Sequence, residues 1–124
     1  MTMPTARKKR ARRAWIAAFA CATAWLAFAP APRGEEEVVT FTIVIKDHRF
    51  EPSEIRVPAG KRAVINLRNE DPTAEEFDSA ELNIEKVIAG GRSGVVRLRP
   101  LEPGRYSFVG EYHSDTAKGI VIVE

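Results

Sequence analysis

At 124 residues the chain fits one domain, and its single cysteine, Cys21, excludes a disulfide framework. The formal charge of +2 conceals two unlike parts. Residues 1–33 hold seven Lys/Arg and no acid, which leaves 12 basic against 17 acidic residues beyond them, about −5, and excludes nucleic acid as a partner of the body.

Residues 1–33 are predicted to be a signal peptide or an N-terminal membrane anchor. A basic cluster, Lys8 to Arg13, precedes an apolar run over residues 14–29. Sixteen helical residues span about 24 Å, short of a ~30 Å hydrocarbon core, which favours cleavage over a stable span. Ala29-Pro30-Ala31 has the small-x-small form of a cleavage site, but Pro32 follows it unfavourably. Arg12-Arg13 lacks the flanks of a twin-arginine signal. Cys21 reads as a small apolar residue of the run, so the body carries no thiol. Residues 34–37 are a linker, and the domain is expected over 38–124.

The domain reads as short strands between turns. Residues 38–45 (VVTFTIVI) are β-branched and aromatic, hence a strand. Phe50-Glu51-Pro52 is a turn or bulge, and residues 54–57 (EIRV) form a short strand. Pro58-Ala59-Gly60-Lys61 is a tight turn. Residues 63–68 (AVINLR) alternate, with Ala63, Ile65 and Leu67 on one side. Residues 69–73 (NEDPT) turn the chain, and residues 75–79 (EEFDS) are extended. Residues 80–87 are the one segment read as a helical turn, ended by Gly90-Gly91. Residues 94–99 form a strand, 100–104 (PLEPG) a turn, and 105–109 (RYSFV) a strand with Tyr106 and Phe108 on one face. A loop over 110–118 leads to the closing strand, 119–123 (GIVIV). About seven short strands with turn residues between them predict an all-β sandwich.

The order of signals is specific: Phe-x-Pro turn, Ile-x-Val, Pro-Ala-Gly-Lys, Asn-x-Asp, Leu-x-Pro-Gly-x-Tyr-x-Phe, a His-bearing loop, then a Gly-led β-branched strand. Over residues 38–124 this resembles the cupredoxins, which implies a Greek-key β-sandwich. In that resemblance His113 takes the histidine of the last loop. Gly110 stands where the blue-copper cysteine belongs, and Ala117-Lys118 where the methionine belongs. The upstream histidine position falls in Glu75-Glu76-Phe77. A trigonal His₂Cys set is therefore not available, and no type 1 copper centre is expected.

The segments Glu76-Phe77-Asp78-Ser79, Glu85-Lys86-Val87-Ile88, Pro103-Gly104-Arg105-Tyr106 and residues 110–119 are similar to the EfeO/FtrB-type cupredoxin-like proteins. That resemblance implies a periplasmic, metal-binding accessory of ferrous iron uptake. Its partner would be a high-affinity iron permease in the membrane, and its cargo Fe²⁺ or Fe³⁺, with manganese and copper as alternatives. Carboxylate oxygen and imidazole suit these cations. Glu76 and His113 are the first expected ligands, with Glu75, Glu111, Glu85 and Asp115 next. If Glu111-Tyr112-His113 is extended, residues 111 and 113 share a side. Alternation lets only one of Glu75 and Glu76 face the site. The glutamate directly before the aromatic favours Glu76, whereas the blue-copper pattern points to Glu75.

His48 is read as a turn histidine bonded to backbone, and as a ligand in the copper alternative. Tyr106 and Tyr112 are read as packing residues with a hydroxyl hydrogen bond, and Lys118 as paired with carboxylates or solvated. With two histidines and no Gly-x-Ser-x-Gly elbow or phosphate loop, hydrolytic catalysis is not expected. Oxidation of ferrous iron is the remaining enzymatic reading. The competing functions are a copper-binding or copper-chaperone domain, and a metal-free interaction module. Membrane contact is expected only through the N-terminal segment.

Overall fold

Period-two burial runs through most of the chain that the structure, a computed structural model, describes: residues 37–124, with residues 2–4 and 30. The expectations for the leader, including the apolar run and Cys21, lie outside the described residues. Nine strands among the described residues form two sheets. They are β1 (Val38–Lys46), β2 (Arg49–Glu51), β3 (Glu54–Val57), β4 (Arg62–Asn69), β5 (Glu75–Ser79), β6 (Ile84–Ile88), β7 (Ser93–Leu98), β8 (Gly104–Gly110) and β9 (Lys118–Val123). A single 3-10 turn among the described residues, Glu111–His113, follows β8.

The first sheet has the order β2-β1-β4-β7 and the second β3-β9-β8-β5-β6. β1 runs parallel to β4, from Val38 beside Arg62 to Ile45 beside Asn69. β3 runs parallel to β9, from Glu54 beside Ile120 to Val57 beside Val123. The core lies between the sheets. β1 and β4 contribute Ile43, Ile45, Ile65 and Leu67, each 0 % exposed. Three aromatic rings close the centre: Phe77 stacks on Phe108 at 4.7 Å, and Phe50 meets Phe108 edge-on at 5.0 Å. Each such pair adds about 0.5–1.5 kcal/mol beyond the area it buries. Residues 34–124 form a compact unit of their own.

Three local expectations are corrected. Residues 49–51 are a strand, not only a turn. Asp47 and His48 take φ of 52° and 56°, the mirror-image turn that folds β2 back on β1 with Lys46 beside Arg49. The helical turn expected over 80–87 stops at Asn83, whose φ is 56°. Residues 84–88 instead pair with β5, from Ser79 beside Ile84 to Glu75 beside Ile88. An isolated helical turn fixes several dihedrals for one hydrogen bond, so the ladder wins. Finally, Glu111-Tyr112-His113 is a 3-10 turn. Three residues per turn send side chains 111 and 113 in different directions, against the expected shared side.

Candidate metal centre

One pole of the sandwich gathers the β1–β2 turn, the start of β5 and the β8–β9 connection. β5 buries Glu75, Phe77 and Ser79 and turns Glu76 and Asp78 outward. Phe77 belongs to the core, so parity sends Glu75 inward with it. Of the two adjacent glutamates, Glu75 therefore faces His113, not the first-ranked Glu76.

Glu75 is 1 % exposed, and both its oxygens are engaged. Oε1 accepts the backbone N–H groups of Glu76 and Tyr112, each at 3.0 Å. Oε2 lies 2.6 Å from His113 Nδ1. A carboxylate only accepts, so Nδ1 is the donor and Nε2 is left as the ring's other nitrogen. The 3-10 turn makes this possible, because it aims the Tyr112 N–H and the His113 ring at the same carboxylate.

Gly110 supplies the room. A Cβ built there would lie 2.6 Å from the Ala117 Cβ, 2.7 Å from Glu75 Cδ and 2.9 Å from Glu75 Oε1. The Glu75 carboxylate thus fills the space that a side chain at 110 would enter. The loop closes behind it through Gly110 N–H to the Ala117 carbonyl at 2.8 Å and Ala117 N–H to the His113 carbonyl at 2.8 Å.

His48 completes the pole. Its ring stacks on His113 with centroids 3.5 Å apart and planes 10° apart. The turn that presents it is held by Asp71, whose two oxygens accept the N–H groups of Asp47 (2.8 Å) and His48 (2.9 Å). The Thr116 hydroxyl donates to the His48 carbonyl at 2.6 Å, which ties the turn to the last loop. Asn69 braces Asp71 by accepting its N–H at 3.0 Å and donating to the Thr73 carbonyl at 2.8 Å. His48 sits in the turn as expected, but the hydrogen bonds are made by its own N–H and carbonyl; its ring, expected to bond backbone, stacks on His113 instead. Asp71 and Thr116 were missed as well. The Asn-x-Asp spelling at 69–71 was the available signal, because Asx side chains bond backbone at turns.

The Asp71 carboxyl is held below its ordinary value, first by the His48 N–H; burial, the next largest effect, opposes this, and the Asp47 N–H and the two nearby imidazoles add to the lowering. A lowered folded value means that ionised Asp71 stabilises the fold above the unfolded value of about 4. That contribution is lost as pH falls through the lower folded value. Urea midpoints measured from pH 6 downward are expected to show this acid limb. Asp71→Asn should flatten it, and should cost about 2–3 kcal/mol at neutral pH because an amide cannot accept both N–H groups. An unchanged limb in the variant would assign acid lability elsewhere.

The other expected ligands do not converge here. Glu76 is half-buried on the outer face of β5 beside Tyr112, where it raises the phenol's pKa together with partial burial, the larger cause. Glu85 is exposed opposite Asp78 on the same face. Glu111 is exposed on the 3-10 turn. Asp115 lines an open groove with Arg49, Thr116 and Lys118. Tyr106 donates to the Glu102 carbonyl at 2.8 Å and packs on the core, whereas Tyr112, 51 % exposed, stands outside the core and hydrogen-bonds the Glu76 side chain. Among the described residues, no three His, Asp or Glu side chains stand ready to close on one ion. The fit to a metal is thus a pair of imidazoles backed by a carboxylate, not a carboxylate cage. Residues 37–124 offer no sulfur ligand from cysteine.

A family model described as the cupredoxin-like domain matches residues 16–123. The chain belongs to that family. An uncharacterized protein of Rickettsia prowazekii (strain Madrid E) is 39 % identical over 88 residues, 71 % of this chain and 70 % of that protein. Two solved structures share the fold. The metal binding domain of the Cu(I) exporting P-type ATPase CopA of Streptococcus pneumoniae D39 superimposes with a TM-score of 0.60 at 24 % identity. It covers 73 % of this chain and 99 % of its own. Auracyanin A, a "blue" copper protein of Chloroflexus aurantiacus, has a TM-score of 0.62 at 15 % identity, covering 71 % and 100 %.

Proposed function

We propose that the protein is an exported, periplasmic metal-binding domain that takes copper(II) through the imidazoles of His48 and His113. The observation that carries this reading is the 3.5 Å stack of the two rings at one pole, with Glu75 bonded to His113 Nδ1. A metal-binding histidine commonly gives its second ring nitrogen to a carboxylate, which fixes the ring and leaves the other nitrogen for the ion. Glu75 fills that supporting role and His113 Nε2 faces the ion. Imidazole donors hold copper(II) more tightly than the other divalent first-row ions. Structural relatives are a domain solved with Cu(I) and a blue copper protein, which supports copper as the ion handled by this fold. The basic cluster and apolar run of residues 8–29 support export.

One observation favours a second reading. A buried carboxylate touching the His113 ring suits a hard cation. In that reading the cargo is ferrous or ferric iron, captured, delivered or oxidised on behalf of a membrane iron permease.

Calorimetric titration of the domain with Cu²⁺, Fe²⁺ and Mn²⁺ separates them. Copper binding should vanish in both His48→Ala and His113→Ala, a loss beyond the roughly 10–100-fold that an outer-shell change costs. Iron or manganese binding that survives His48→Ala but not His113→Ala selects the iron reading. No heat with any ion leaves a metal-free interaction module.

A further inference from the structure

The outward side of the first sheet carries a charge pattern that the pole does not use. Parity in β1, β4 and β7 sends Ile43, Ile45, Ile65, Leu67 and Val96 into the core, so the residues between them face out. Register then aligns them in rows. Val38 lies beside Arg62, Val64 beside Arg97, Val44 between Glu51 and Arg68, and Lys46 beside Arg49. All five cations on these rows are exposed, and Glu51 is the one carboxylate among them. Arg68 is paired with Glu70 at 2.9 Å. Lys46, Arg49 and Arg97 have no ion-pair partner among the described residues.

Apolar groups alternate with the charges. Val38 is 47 % and Val95 38 % exposed, and a shallow cavity of about 220 Å³ opens among Val38, Arg62, Val64 and Arg97. The opposite sheet is different: its charges balance, with Glu54, Glu76, Asp78 and Glu85 against Arg56, Lys86, Arg105 and Lys118. A body of about −5 overall thus presents one face of the opposite sign.

The geometry points to this face as a surface that lies flat on an anionic lipid bilayer. Cations meet the phosphates of headgroups such as phosphatidylglycerol, and the interleaved valines reach the boundary below them. Charge complementarity selects an acidic occupant. A long sheet face with valines scattered between the cations fits a planar, deformable surface, and the apolar run at residues 14–29 directs the same chain to a bilayer. This is a membrane contact additional to the N-terminal segment. It rests on the export reading and not on the metal. The rows follow β1 along its whole length, from Val38 to Lys46 next to His48. Docking by this face lays the sandwich on its side and keeps the His48–His113 pole level with the headgroups.

The test is sedimentation of residues 34–124 with vesicles of phosphatidylcholine alone, or mixed with phosphatidylglycerol, in metal-free buffer. Binding is expected to the mixed vesicles only, and to disappear as salt shortens the screening length from about 10 Å at 0.1 M to about 3 Å at 1 M. Lys46→Ala/Arg97→Ala should weaken it about 25-fold, near five-fold for each cation. Arg56→Ala/Arg105→Ala makes the same change of charge on the opposite sheet and should leave it within about two-fold. Thermal melts confirm that both variants fold. Equal binding to both vesicles, equal loss in both variants, or no binding to anionic vesicles overturns the inference. The last outcome redirects the face to an acidic protein partner. Because no metal is present, these results leave the titration of the pole unaffected.

Discussion

Replacing Glu75 with alanine is expected to destabilise the domain by about 3–5 kcal/mol. The side chain is 1 % exposed and answers three donors: two backbone N–H groups at 3.0 Å and the His113 ring at 2.6 Å. Removing one member of a buried polar set leaves the others desolvated without a partner, which costs far more than an average hydrogen bond adds. The Tyr112 N–H sits in the 3-10 turn that aims His113, so the variant also frees that ring. Where the domain stays folded, copper affinity should fall about 10–100-fold, as for loss of an outer-shell partner. Glu75→Gln separates the two effects, because it keeps one acceptor oxygen and the packing volume. It should recover much of the stability and less of the affinity. Denaturant melts and a metal titration on the three proteins read both. A Glu75→Ala domain as stable as the parent would show that the carboxylate is not the keystone of the pole.

Gly110→Ala is expected to cost about 3 kcal/mol, near the top of the range for an overpacked core. The backbone does not object, since residue 110 has φ −88° and ψ 103°, open to any residue. The whole penalty is steric, from Ala117 Cβ at 2.6 Å and the Glu75 carboxylate at 2.7–2.9 Å. Two residues that collide through one cavity do not add. In a Glu75→Ala background the methyl at 110 keeps its collision with Ala117 but loses the one with the carboxylate, so the double variant should lose less than the two single losses together. Urea unfolding of the four proteins measures this coupling. Strict additivity would mean that the space at 110 and the carboxylate are independent. The same collision predicts that Gly110→Cys alone cannot create a sulfur site.

Most strands were legible because their cores alternate. Residues 63–68 and 105–109 show a period of two in single letters, and the structure buries Ala63, Ile65, Leu67 and Phe108. β6 was not legible. Its interior is Glu85-Lys86-Val87, all exposed, and its pairing with β5 is a fact of tertiary structure. Parity with Phe77 already held the orientation of Glu75. That signal competed with a family likeness favouring Glu76, and a core aromatic outweighs it because a fully buried ring fixes which way its strand faces. The stacking of His48 on His113 joins residues 65 positions apart, and no local pattern encodes it. Turn geometry explains the remaining difference: a 3-10 turn of polar residues carries no hydrophobic period.

The φ of 56° at His48 has a thermodynamic meaning. Left-handed backbone disfavours any residue with a Cβ by roughly 1–2 kcal/mol, and glycine would relieve that penalty in a two-residue hairpin. The molecule therefore holds an imidazole where its own backbone prefers none. If His48 is a ligand as proposed, stability and recognition are opposed at this single position, and an ion held at the ring edges by in-plane nitrogens would offset the strain.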